Sequence, residues 1–213
     1  MRHKATKGAC TLCGKEYARS GMGKHLASCL TQQPAELVED DQRFSLHLQV
    51  MTRYPSDYWL HLQVDERATF KTLDTFLRNL WLECCGHMSQ FFVGQQTIGM
   101  QGRLAASLRS GDEIDYDYDM GETTELRIKV LGEYKGPAPS GKSITILARN
   151  HPPEIPCDAC EQHPAVRICP ECNWEGEGWL CQECATGHSC GDEAGYLPIP
   201  NSPRAGVCGY NGA

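Results

Sequence analysis

Apolar positions recur with two different periods between residues 43 and 149. In FSLHLQV (44–50), Phe44, Leu46, Leu48 and Val50 alternate with Ser45, His47 and Gln49, so a strand would carry the first set on one face and the second on the other. YWLHLQV (58–64) repeats the pattern with Tyr58, Leu60, Leu62 and Val64 inward. Together the two runs predict a half-buried hairpin. A loop at 53–55 would set His47 and His61 directly opposite each other on the outer, exposed face. Such a pair can bind metal or shuttle protons, but two exposed sheet histidines are ordinarily surface residues. In TFKTLDTFLRNLWLECC (69–85) the period becomes helical. Phe70, Leu73, Phe76, Leu77, Leu80 and Trp81 form one stripe, Thr69 or Thr72 can cap it, and Gly86 ends it. Further strands are predicted over 90–93, 112–119, 124–131 and 143–149. This order predicts an α+β domain, a β-grasp-like sheet packed on one main helix.

Breaks in composition divide the chain. TQQPAELVEDDQ (31–42) is acidic and polar, and NHPPEIP (150–156) has three prolines in seven residues. Both read as linkers. The predicted organisation is a cysteine-rich tip (1–30), the α+β domain (43–149) and a cysteine-rich tail (157–213).

In the tip, Cys10 and Cys13 are two residues apart, as a metal-binding turn requires. His25 and Cys29 are four apart and share a helical face. Tyr17 and Met22 supply a minimal core, and Ser20 can cap the helix. This resembles the C2H2 zinc-finger family in its C2HC form, over about 25 residues. Zn²⁺ suits this tetrahedral S/N set, and in so small a unit the binding energy is also folding energy.

The tail holds Cys157-x2-Cys160, Cys169-x2-Cys172, Cys181-x2-Cys184 and His188-x-Cys190, four ligand pairs and therefore two tetrahedral sites. The apolar residues between them (Val166, Ile168, Trp174, Trp179, Leu180) are too few for a core, a shortage that metal would offset. Pairs one with two and three with four would give sequential sites. Pairs one with three and two with four would interleave them, an order that resembles the cross-brace modules of RING, ZZ and B-box domains and is favoured because it ties a loop-rich chain together best. His163 is the weakest candidate, and Cys208 is an alternative eighth ligand in place of Cys190 or His188. The expectation is three zinc ions per chain.

Thirteen cysteines without a secretory signal or an apolar run of membrane-spanning length suggest a cytoplasmic chain whose thiols serve metals rather than disulfides. The net charge of -7 is uneven. Residues 1–30 hold six Lys/Arg against one acid, and residues 151–213 hold two against nine. Only the tip, through Lys4, Lys7, Lys15 and Lys24, offers phosphate a favourable surface. Glu113, Asp115, Asp117 and Asp119 alternate with Ile114, Tyr116 and Tyr118, and read as a solvated or edge-protecting strand face. Cys84, Cys85 and His87, at the helix end, read as a buried thiol cluster rather than a ligand set. No phosphate loop, Ser-His-Asp pattern or dinucleotide fingerprint appears.

SGDEIDYDYDMGETTELRIKVL resembles the plasmid pRiA4b ORF-3-like domain, also met as a transposon passenger protein. Tyr116, Asp117, Tyr118, Asp119 and Gly121 stand at its late motif, and His87 and Phe91 in its His-to-Phe stretch. Glu122, Thr123 and Thr124 depart from the Asp-Asn-Trp often found after that glycine, and Trp59 and Leu60 from an early Trp-Arg. The resemblance covers about 43–149 and implies fold more than activity.

The expected function is that of a non-enzymatic, zinc-stabilised interaction or adaptor protein of a bacterial plasmid or mobile element, with a protein partner, no membrane and no small-molecule cofactor. The alternatives are a nucleic-acid-binding accessory using the basic tip, and an enzyme of RING-like transfer or hydrolytic type.

Overall fold

The alternating runs form the strands they predict, in a sheet larger than a grasp. The computed structural model describes residues 6–32, 43–54, 57–136, 138, 141–191 and 195–212. It divides into two compact units, Met1–Arg78 with Met88–His151, and Asn79–His87 with Pro152–Ala213. The tip therefore shares a unit with the middle of the chain, and residues 79–87 fall with the tail. Most of the 31–42 linker lies outside the described residues.

Among the described residues, the first unit is built on nine antiparallel strands. They are β1 (Lys7–Cys10), β2 (Glu16–Ala18), β3 (Phe44–Thr52), β4 (Trp59–Asp65), β5 (Ser89–Val93), β6 (Gln96–Ile98), β7 (Glu113–Tyr118), β8 (Thr124–Lys135) and β9 (Ile144–Asn150), in the order β2-β1-β9-β4-β3-β8-β7-β5-β6. The tip supplies β1 and β2, which extend the sheet beyond β9. Leu46, Leu48, Val50, Leu60, Leu62 and Val64 are fully buried, as their alternation requires. Two register slips modify the pattern. Between His47 and Leu48 the partner in β8 jumps from Gly132 to Val130, and between His61 and Leu62 the partner in β9 jumps from Ala148 to Ile146. Leu131 and Leu147 are the residues skipped. A bulge of this kind re-aims side chains that strict alternation would send elsewhere, and Leu147 joins the core beneath the tip.

The tip's helix, α1 (Arg19–Gln32), buries Met22, Leu26 and Leu30 against Cys10, Trp59, Leu147 and Ala148. Because α1 begins at Arg19, Ser20 lies inside it and is not its cap. A Cβ at Gly23 would sit 3.0 Å from Leu131 Cδ1 and 3.5 Å from His61 Cε1, so glycine lets α1 lie close over the sheet. The face predicted to be exposed is therefore covered, and His47 and His61 are fully buried.

Helix α2 (Phe70–Leu77) opens on a capping box in which Thr69 Oγ1 accepts from the Thr72 backbone and Thr72 Oγ1 accepts from the Thr69 backbone. Phe70 packs on Phe91 with ring centroids 5.3 Å apart. The expected helix over 69–85 does not continue in α form. Arg78–Leu82 is a π-turn, whose extra residue per turn shifts the buried stripe to Trp81 and Leu82 and leaves Leu80 and Phe76 half-buried. A short helix α3 (Leu104–Ser107) lies between β6 and β7.

The second unit has little regular structure: β10 (Arg167–Ile168), α4 (Pro170–Asn173), β11 (Trp179–Leu180), α5 (Gln182–Thr186) and β12 (Leu197–Pro198), with β10 central among its three strands. One core cluster here consists of Cys157, Cys169, Cys181, Leu180 and Ala185. Trp174, one of its few large apolar residues, is 83% exposed. No described helix is long and apolar enough to cross a membrane.

Candidate metal centres

Short turns deliver most of the cysteines in pairs. Cys10 ends β1 and Cys13 follows in a turn in which Gly14, at φ 74, donates its N–H to the Cys10 carbonyl. Cys169 precedes α4 and Cys172 lies within it; Cys181 precedes α5 and Cys184 lies within it. In both cases a single helical turn converges two sulfurs on one point.

The pairs gather into groups whose ligand atoms all lie within 4.8 Å of one another. The first is Cys10, Cys13, His25 and Cys29; the second Cys157, Cys160, Cys181 and Cys184; the third Cys169, Cys172, His188 and Cys190. All twelve sequence-predicted ligands are present. The tail groups join pairs one with three and two with four, which is the interleaved order. A fourth group, Cys84, Cys85, His87 and Cys208, lies in the second unit. It corrects two expectations. Cys84, Cys85 and His87 are not a buried thiol cluster, since Cys85 is exposed and the other two are half-buried. Cys208 completes this group and substitutes for neither His188 nor Cys190. His163 is exposed and belongs to none of the four, its Nδ1 lying 4.0 Å from Cys160 Sγ.

Thirteen cysteines enter the four groups with His25, His87 and His188, and no cysteine is left over. Tetrahedral zinc with bonds near 2.3 Å to sulfur and 2.0–2.1 Å to nitrogen implies S···S edges of about 3.8 Å and S···N edges of about 3.5 Å. Cys13 and Cys29 are 3.9 Å apart, Cys160 and Cys181 3.9 Å, and Cys172 and Cys190 3.8 Å. Cys29 Sγ lies 3.4 Å from His25 Nε2, and Cys172 Sγ 3.2 Å from His188 Nε2. The sulfurs are far beyond disulfide length, and the four groups can hold metal ions.

In each group one thiol is pushed up by burial and by its neighbours. Burial, then the hydrogen bond with Cys13, pushes Cys29 up to about 11. Burial, then Cys190, pushes Cys172 up to about 12, and hydrogen bonds with Cys181 and Cys157 push Cys184 up to about 12. Others are lowered by backbone N–H groups: Cys160 is held down at about 6 by those of Gln162 and His163, Cys13 lies below its ordinary value through that of Lys15, and Cys157 lies below it because such bonds outweigh its burial. A divalent cation removes the conflict by ionising all of its thiol ligands.

The other candidates have structural partners. Glu113 pairs with Lys129 at 2.7 Å and Asp115 with Arg127 at 3.2 Å, both across β7 and β8. Since β7 lies between β5 and β8, its acids guard no edge. Asp119 leaves the strand at φ 67 and accepts from the Gly121 N–H at 2.9 Å, while Tyr116 and Tyr118 are fully buried. Tyr116, Tyr118 and Asp119 thus build core and turn. His47 Nε2 and His61 Nδ1 are 2.8 Å apart, and Gln49 Nε2 is 3.2 Å from His61 Nε2. The strand register places His61 opposite Gln49 rather than His47, so the two histidines meet diagonally.

Of the basic candidates, Lys4 lies outside the described residues. Lys7 and Lys15 are exposed towards opposite ends of the β1–β2 hairpin. Lys24, with Arg19, Lys129, His47 and Tyr134, lines a cleft of about 540 Å³ between α1 and the sheet.

No protein-family model matches the chain, and no curated protein matches it. A crystal structure of a protein of unknown function from Methanosarcina mazei Go1 is similar at 19% identity with a TM-score of 0.41, over 50% of this chain and 67% of that one.

Proposed function

We propose that the chain is a non-enzymatic, zinc-stabilised interaction protein with a protein partner, working in a reducing, cytoplasmic setting and carried by a bacterial plasmid or mobile element. The observation that carries the zinc and non-enzymatic parts is the use of every cysteine in groups closed by four protein ligands. A zinc site with four protein ligands is structural, because no position remains for water or substrate. Two of these sites take zinc in the tail, where the core cluster is mostly cysteine. The plasmid setting rests on the pRiA4b-like stretch around Tyr116–Gly121.

The nucleic-acid alternative is weakened by how α1 is used. Its Met22–Leu26–Leu30 face is buried and Gly23 sits against the sheet. Ser20, Lys24, Ser28, Thr31 and Gln32 remain exposed, with one cation among them. Readout by such a helix takes several base-contacting side chains.

The test is purification of the intact protein from its host with and without nuclease, with zinc measured on the same samples. Nuclease-resistant capture of a protein and zinc filling the three predicted sites support the proposal. Retention abolished by nuclease, and falling steeply with salt, would transfer the function to nucleic acid.

A further inference from the structure

We infer that Cys84, Cys85, His87 and Cys208 bind a further Zn²⁺, and that this is the exchangeable metal of the protein. The inference deepens the zinc reading above and depends on it. Local spacing does not announce the site. Cys84, Cys85 and His87 end the π-turned helix, whereas Cys208 comes from the last irregular segment of the second unit.

The ligand atoms fit a tetrahedron. Cys84 and Cys85 sulfurs are 3.8 Å apart and those of Cys85 and Cys208 3.6 Å. His87 Nε2 lies 3.0 Å from Cys85 Sγ and 3.4 Å from Cys208 Sγ. The backbone is bent to deliver them. Gly86 between two ligands is at φ 86, Gly209 after Cys208 is at φ 65, and Cys208 itself is held at φ 51, where a side chain is costly.

The surroundings agree with an anionic complex. Arg204 is fully buried and directs Nη2 at Cys84 Sγ, 3.8 Å away. Zn²⁺ with three thiolates and one neutral imidazole carries one net negative charge, which suits a guanidinium at that sulfur.

Exposure distinguishes this centre. Each of the other groups contains at least one fully buried cysteine: Cys10 in the first, Cys157 and Cys181 in the second, Cys169 in the third. The fourth contains none, and Cys85 and Cys208 are both exposed. A competing ligand can therefore reach the metal without prior unfolding. The tail has other anchors. Ser202 Oγ donates to the Trp81 carbonyl at 2.6 Å and Asn173 Nδ2 to the Gly206 carbonyl at 2.7 Å. Metal loss at this site would loosen 79–87 and 201–212 while the interleaved pair keeps its zinc.

The experiment uses the full chain, purified with zinc, and the variants Cys208→Ser and Cys85→Ser. Total zinc is measured, and its release to a chromogenic chelator is followed in time. Wild type should hold four zinc ions per chain, one leaving in a separate fast phase. Each variant should hold three and lack that phase. Equal zinc content in wild type and variants, or a wild type releasing all its zinc in one phase, overturns the inference. Loss of more than one zinc from both variants also overturns it, because the site would not then be separable. A wild type holding fewer than three instead defeats the underlying zinc reading.

Discussion

His47 Nε2 and His61 Nδ1 lie 2.8 Å apart beneath α1, on a sheet face that alternation alone assigns to solvent. Burial holds His47 down at about 4, and burial with the repulsion of His47 holds His61 down at about 3. Both bind protons more readily in the unfolded chain, where the ordinary value is 6.5. Their contribution to stability is complete above about pH 6.5 and is lost as pH falls toward the folded values. Urea midpoints from pH 8 to pH 5 should fall more steeply for wild type than for His47→Asn/His61→Asn, with zinc-ligand titration common to both. Equal slopes would show that the pair does not set acid sensitivity.

Gly8 faces the backbone of β9 so closely that a Cβ would meet the Arg149 carbonyl oxygen and lie 2.7 Å from the Trp59 ring. Gly8→Ala should cost about 1–3 kcal/mol by overpacking, read as a lowered urea midpoint. Amide exchange should quicken first in β1 and at its partners Ala148 to Asn150. A variant as stable as wild type would mean that β1 is not seated on β9.

Asp74 is buried and accepts from Ser89 Oγ at 2.5 Å, Tyr116 OH at 2.9 Å and Lys71 Nζ at 2.7 Å. Burial raises its pKa, but these three bonds outweigh burial and leave it below the usual carboxylate value. The contribution of the carboxylate is whole above its unfolded value of 3.8 and fades as pH falls through the lower folded one. Asp74→Ala should destabilise the sheet unit by about 2–4 kcal/mol, since hydrogen bonds to a charged group are lost and buried donors orphaned. Thermal unfolding of the zinc-loaded protein measures this, and a change under about 0.5 kcal/mol, the range of ordinary surface substitutions, would contradict the assignment.

The interleaved ligand order would make metals held by the two tail groups interdependent. Cys157→Ala leaves three ligands around a centre that needs four. Because the pair Cys169–Cys172 lies within the loop this centre closes, amide protection should drop across 157–190. Cys190→Ala should do the same from the other centre. Loss confined to one half in each variant would refute the cross-brace.

What was legible in the chain followed local rules. The pattern of apolar residues located β3, β4, β5, β7, β8 and β9, because each strand buries at least part of one face in its own sequence neighbourhood. Two-residue spacing located the paired thiols, because one turn suffices to bring them together. Events at a distance left no local mark. The bulges at Leu131 and Leu147 and the docking of α1 over His61 depend on partners far along the chain. The fourth ligand group escaped for the same reason, with Cys208 remote from Cys84 in sequence. Adjacent Cys84 and Cys85, followed by His87, and a cysteine otherwise unassigned at 208 were the only signals available.

Strand β9 lies between β1 and β4. During synthesis, Cys10, Cys13, His25 and Cys29 leave the ribosome long before residue 144 is made, while the strand that joins their hairpin to β4 is the last of the sheet to appear. The finger must therefore persist as a metal-closed nucleus of its own, or wait open, until β9 arrives. If those four ligands take zinc, its supply at the moment of translation would bear on how much of the newborn chain reaches the nine-stranded sheet.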